Sequence, residues 1–227
     1  MIEKNILEVK QRIQNVCNSI AVDHSSITIV AVSKNRTPEE IKQVIKAGIF
    51  NIGENRVQEA VSKYKVLKDI PQIKWHMVGH LQTNKVKDAV IIFDLIQSVD
   101  SLHLAEKINK CAEKIKKVQE VLIEVKTSSE PTKFGLRPDR LLELLKEIAN
   151  FKNLKIKGLM TIAPYFAHPQ DTRPFFRILR ELKEKVNQQN EIPLKLEILS
   201  MGMSNDFEIA IEEGSNMLRI GRAIFEG

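Results

Sequence analysis

Residues Ile27 to Asn35 read ITIVAVSKN, and this stretch decides the fold. An apolar, β-branched run reads as a strand. It ends on a lysine, Lys34, although burying an isolated ammonium is expensive. With a period of two, Val30, Val32 and Lys34 share one face. A strand that carries a cation at its carboxyl end fits a fold whose strand ends face a ligand. Immediately downstream, TPEEIKQVIKAG (37–48) reads as a helix. Thr37 is its N-cap, Pro38 its first residue and Gly48 its stop.

The same alternation runs outward to the chain end. FNIG, KWHMV, LIQSV, EVLIEVK, KIKGLM, LKLEILS and MLRI read as strands, and each is followed by a helical pattern or a loop. In LKLEILS, parity puts Leu196, Ile198 and Ser200 on one face. Eight units in 227 residues give roughly 28 residues per unit, the size of a right-handed βα repeat. Alternating strands and helices argue for a parallel sheet. Eight of them favour an α/β fold, a single (β/α)8 TIM barrel, over a doubly wound open sheet. Ahead of the first strand, Ile2, Ile6, Val9, Ile13, Val16 and Ile20 recur at steps of three and four, so an extra N-terminal helix over 2–20 packs on the barrel. No linker or low-complexity tract divides residues 1–227, which read as one domain.

Composition excludes several classes. The chain is 43% hydrophobic and 28% charged, which suits a domain with a full core. No run approaches the roughly 18 to 20 apolar residues of a membrane helix. MIEKNILEVKQRI lacks the apolar centre of a signal peptide, so the expected location is cytoplasmic. Cys17 and Cys111 have no Cys or His at metal spacing and read as free thiols. The net charge is +6, but lysines alternate with glutamates and aromatics make up only 5%, which argues against nucleic acid. A positive field favours a small phosphorylated ligand instead.

Function in such a barrel belongs at the carboxyl ends of the strands. There stand Lys34, Asn55 in GENR, His76 in KWHMV, Ser200 in SMGMSND, and Arg219 with Gly221 in LRIGRA. Loops after the seventh and eighth strands of barrels frequently hold phosphate. Gly202 lets backbone approach a ligand, and Ser200 and Ser204 offer hydroxyls, though ordinary turn chemistry would also use these residues. Lys34 has three readings: a phosphate contact, a snorkelling surface residue, or an amine sheltered from water that condenses with an aldehyde. An aldehyde at one end and a phosphate at the other describe pyridoxal 5'-phosphate (PLP). Arg219, effectively always protonated, would face the pyridine nitrogen and disfavour its protonation, or else pair with a strand-end carboxylate.

AVSKN, GENRVQEA, WHMVGHLQTNK, IQSVDS, GLMTIAP, LSMGMSNDFEIAI and LRIGRAIF occur in the order of the motifs of the pyridoxal-phosphate homeostasis (YggS/PROSC) family, which the chain resembles from about Ile27 to Phe225. The resemblance implies a single barrel like the N-terminal domain of alanine racemase. It implies Lys34 as the Schiff-base lysine and Ser200 with the backbone at Gly221 and Arg222 as the phosphate cradle, and Met201 and Gly202 are counted with them among the cofactor-binding residues. Arg219 becomes the partner of the pyridine nitrogen, with Asn55 and His76 lining the ring or mouth. Lys126, Phe134, Arg222 and Glu226 depart from the family pattern. The implied role is to hold, buffer or deliver PLP without robust catalysis, as a monomer, with PLP-dependent apoenzymes as recipients. The alternative is a PLP-dependent amino-acid racemase. Racemisation needs an acid/base group on each face of the substrate. Tyr165 in APYF is the candidate opposite Lys34, the second domain of the racemases being expected to be absent after Gly227. Lys133 is a candidate second cation at the mouth.

Overall fold

The computed structural model describes residues 1–128, 130, 134–189 and 194–227. Lys133 lies outside the described residues. Eight parallel strands close into a barrel in sequence order. They are β1 Thr28–Val32, β2 Asn51–Glu54, β3 Lys74–Met77, β4 Leu95–Val99, β5 Gln119–Glu124, β6 Leu154–Met160, β7 Ile198–Ser200 and β8 Met217–Ile220. Ahead of β1 runs α1 Ile2–Ser19. The strands are connected through α2 Pro38–Lys46, α3 Val57–Leu67, α4 Val86–Ile92, α5 Leu102–Lys114, α6 Leu141–Ile148, α7 Arg173–Gln188 and α8 Phe207–Glu212, and α9 Arg222–Phe225 follows β8. The expected (β/α)8 barrel with an added N-terminal helix is the architecture found. Among the described residues no helix is long and apolar enough to cross a membrane.

Strand alternation sorts the core into two layers. Val30, Val78, Leu95, Leu122, Met160 and Met217 fill the barrel's interior. Ala31, Ile52, Ile96, Ile123, Leu199 and Ile220 face the helices instead and join the larger core. β1 meets β8 with Val30 beside Arg219 and Ala31 beside Ile220, so the barrel closes in a register that keeps Arg219 on the inner face.

Local sequence explains the turns around the mouth. α2 begins with a capping box: the Thr37 hydroxyl accepts the Glu40 N–H, and the Glu40 carboxylate accepts the Thr37 N–H. Gly48, past its end, has φ +82°. The stripe on α1 buries Ile2, Ile6, Val9 and Ile13, then continues to Cys17, while Ile20 lies outside the helix. α1 packs against α2, α8 and α9, and the Asn5 side chain donates to the Ile224 carbonyl at 3.0 Å.

One strand is shorter than its apolar pattern predicts. The Asn187 side chain takes the N–H of Leu196 at 2.8 Å and donates to its carbonyl at 2.9 Å. Leu196 therefore never joins the ladder and packs outside the barrel. It does not share a face with Ile198 and Ser200, contrary to the parity reading.

Candidate functional site

Several strand ends open onto one cavity of about 640 Å³. That is within the range of ~300–1,000 Å³ usual for small-molecule sites. Of the residues singled out in the sequence, Lys34, Asn55, Arg219, Gly221 and Arg222 line it together. His76, Ser200, Met201 and Gly202 are not among its lining.

Lys34 stands two residues past the end of β1, in a turn whose next residue, Asn35, has φ +60°. Asn tolerates this left-handed conformation better than most residues. Lys34 is exposed at the mouth, whereas one of its three sequence readings was an amine sheltered from water. β1 stops at Val32, so the chain has already left the barrel wall when it reaches the lysine. Asn55 follows β2 and is pressed by the next loop. A Cβ on Gly79 would come within 2.4 Å of the Asn55 carbonyl oxygen, so only glycine fits there. The Asn55 Oδ1 is buried and has no hydrogen-bond partner.

Arg219 is 4% exposed. Its Nη1 donates to Ser200 Oγ and its Nη2 to the Thr161 carbonyl, both at 2.7 Å. Ser200 in turn donates to Gln97 Oε1 at 2.6 Å, and Gln97 Nε2 lies 3.1 Å from His76 Nδ1. His76 Nε2 is 3.0 Å from Asn51 Oδ1. An amide nitrogen only donates, so His76 Nδ1 accepts and Nε2 carries the proton to Asn51. Burial, helped by the Lys74 charge, pushes the His76 pKa down to about 4, so this neutral form is the one held. A hydrogen-bonded chain thus crosses the barrel floor from β8 through β7, β4 and β3 to β2. Ser200 and His76 belong to that floor and fix the guanidinium from below. Neither lies among the residues that line the cavity, where the resemblance implied a phosphate cradle and a mouth.

Burial lowers the Arg219 pKa to about 10, opposed by Glu124 and Asp206, so it stays charged at neutral pH. A guanidinium has five N–H donors and two are used by Ser200 and Thr161, which leaves donors for the cavity that Arg219 lines. Met201 is fully buried in the outer core. Gly202 has φ +91°, and a Cβ there would meet Ala210 Cβ at 2.6 Å. The packing of α8 therefore demands glycine at 202, and its carbonyl accepts the Arg219 N–H at 3.1 Å.

The turn at Gly202 brings the following residues to the cavity instead: Met203, Ser204, Asn205 and Asp206. Ser204 Oγ accepts the Ala223 N–H at 3.1 Å, which leaves its own proton to donate. Asp206 Oδ1 takes the Met203 N–H at 2.6 Å and closes the loop on itself. Burial raises the Asp206 pKa, and the Met203 hydrogen bond and Arg219 partly counter this. The sequence reading singled out neither Asp206 nor Gln97. Both lie within quoted motifs, but nothing in their spacing distinguishes them from solvated polar residues.

A smaller cavity of about 170 Å³ adjoins the first, the two sharing Val78 and Ile162. Glu124, His80, Lys126 and Phe134 line it. His80 stacks on Phe134 with ring centroids 3.8 Å apart. Burial first, then the Asp100 charge, raise the Glu124 pKa to about 7, with Arg219 opposing. The folded protein therefore holds this proton more tightly than the unfolded chain does. That contribution to stability is complete below pH 4.5 and is lost as pH rises through about 7. Glu124→Gln should then be more stable than the parent at pH 8 by about 3 kcal/mol. The gain should vanish at about pH 3, well below the 4.5 of an ordinary glutamate, where the parent carboxyl is protonated in both states. Urea unfolding of both proteins at the two pH values checks this; an equal difference at both would contradict it.

Comparison with known proteins bears on this site. Residues 3–227 match a family model described as "Alanine racemase, N-terminal domain". A relative from Aquifex aeolicus named "Pyridoxal phosphate homeostasis protein" is 44% identical over 222 residues, covering 98% of this chain and 96% of its own. PipY of Synechococcus elongatus, solved with PLP bound, is 34% identical with a TM-score of 0.87, covering 99% of this chain and all of PipY. An alanine racemase of Clostridium difficile shares the fold at 17% identity and TM-score 0.73; 95% of this chain spans 54% of it.

Proposed function

The chain belongs to the pyridoxal phosphate homeostasis proteins, within the alanine racemase N-terminal-domain family, and on that premise we propose that it binds pyridoxal 5'-phosphate covalently at Lys34. The observation that carries this reading is one cavity lined by an exposed amine on the β1 side and by a fixed guanidinium and a hydroxyl with a proton to donate on the β7 and β8 side. When bound, the cofactor would supply an aldehyde with which the Lys34 amine could condense, water leaving.

The other residues fit the rest of that molecule. Asn55 Oδ1, buried and unpartnered, is an acceptor awaiting a donor, and satisfying it would remove a desolvation penalty. Arg219 can donate to a ring nitrogen but cannot accept, so it would keep that nitrogen unprotonated. An unprotonated ring is a weak electron sink, which suits holding the cofactor better than carbanion chemistry. The Ser204 hydroxyl, the backbone at Gly221 and the exposed Arg222 guanidinium, whose Nη2 lies 3.4 Å from Asn205 Oδ1, would receive the phosphate. An open mouth with an exposed lysine lets the cofactor exchange. The protein is thereby suited to buffer PLP in the cytoplasm and pass it, as a monomer, to PLP-dependent apoenzymes, without robust catalysis of its own.

Tyr165 supports a second reading, a racemase. It lines the cavity and could act opposite Lys34, but it is 77% exposed, so nothing holds its hydroxyl at a reacting carbon. Titration of the purified protein with PLP should produce a saturable visible absorbance at one equivalent, and L-alanine incubated with the loaded protein should keep its configuration. No absorbance change would overturn the binding reading, and D-alanine accumulating at enzymatic rates would favour the racemase.

A further inference from the structure

Lys63 lies on α3, is 5% exposed, and lines neither cavity. Its ammonium donates to the Ser33 carbonyl at 2.5 Å, to Glu54 Oε1 at 2.7 Å and to Glu59 Oε1 at 2.6 Å. The same Glu59 oxygen accepts the Asn35 N–H at 2.6 Å, and the Ser33 hydroxyl donates to Glu54. The Ser33 carbonyl belongs to the peptide group before Lys34, and the Asn35 N–H to the one after it. One ion cluster therefore grips the backbone on both sides of Lys34 and leaves only its side chain free to turn.

Folding alone does not call for this arrangement. A buried ion cluster is often no more stabilising than apolar side chains of the same volume. Two of its members, Lys63 and Glu59, bond the backbone on either side of the residue carrying the exposed amine, and Glu54 ties Lys63 to the Ser33 hydroxyl. We infer that Lys63, with Glu54 and Glu59, is a positioning cluster that aims Lys34 at the cavity, so that covalent capture of an aldehyde depends on a lysine outside the site. The inference rests on the reading of Lys34 given above.

Four proteins test it: the parent, Lys63→Met, Glu59→Leu and Glu59→Gln. Two quantities are measured on each. The first is the rate at which PLP becomes fixed to Lys34 by borohydride. The second is equilibrium binding of pyridoxine 5'-phosphate, which has an alcohol in place of the aldehyde and reports on the cavity alone. Lys63→Met and Glu59→Leu should slow capture at least about tenfold while pyridoxine 5'-phosphate binding changes less than about twofold, because orientation and not affinity is lost. Glu59→Gln should restore capture, since its amide oxygen still accepts the Asn35 N–H. Unchanged capture in the folded variants, or both quantities falling together, would overturn the inference. Should Lys63→Met fail to fold, Glu59→Leu decides, since that side chain is 23% exposed. A parent protein that captures no PLP would overturn the reading of Lys34 itself, an outcome distinct from capture that ignores the cluster.

Discussion

Lys34→Ala should abolish the covalent adduct. After incubation with PLP and borohydride, the parent should gain the mass of one pyridoxyl phosphate on the peptide that contains Lys34, and the variant should gain none there. The effect is all-or-none because a Schiff base needs a primary amine, and Lys34 is the lysine among the cavity's lining residues. Surface lysines, which are numerous in this chain, should label only sparsely and to the same extent in both proteins. The fold should be untouched, since Lys34 is exposed and its neighbours Ser33 and Asn35 are held through their own groups. Equal labelling of parent and variant would remove Lys34 from the account.

Arg219→Leu should have the next largest effect, and on two quantities at once. The guanidinium is buried, and it makes two hydrogen bonds of 2.7 Å to the barrel interior. Removing it leaves the Thr161 carbonyl without that donor and takes the countercharge from Glu124 and Asp206. Loss of charged hydrogen bonds and of a buried cation should destabilise the fold by about 2–4 kcal/mol. Trp75, the single tryptophan and 3% exposed, reports the unfolding by its fluorescence. Without Arg219 to oppose burial, Glu124 should hold its proton to still higher pH, so the variant's deficit should widen from pH 5 to pH 8. PLP affinity should drop at least about tenfold, the value of one charged hydrogen bond. An unchanged urea midpoint together with unchanged affinity would show that the floor of the barrel does not depend on this residue.

The barrel was legible because its signals are local and repeated. Thr37, Pro38 and Gly48 mark a helix by themselves, and the alternation in Val30, Val32 and Lys34 gives a face. The site was legible only in part, for two physical reasons. The first is depth. His76 and Ser200 lie on inward-facing strand positions, and sequence does not say whether such a position reaches the mouth or the layer beneath it. The hydrogen bonds through Gln97 decide that, and they join residues far apart in the chain. The second is turn geometry. The positive φ of Gly202 swings the chain so that Ser204 faces the cavity and Met201 faces the helices. The Lys63 cluster was invisible for a third reason. A lysine followed by more lysine in VSKYKVL reads as a solvated helix face, and only the closeness of α3 to the β1 turn buries it.

A crystal of the protein soaked with PLP tests the central claim most directly. The account predicts continuous electron density from Lys34 Nζ into the ligand, with the phosphate beside Ser204 and Gly221. Density continuous with any other side chain, or a cavity left without ligand while Lys34 points into solvent, would contradict it.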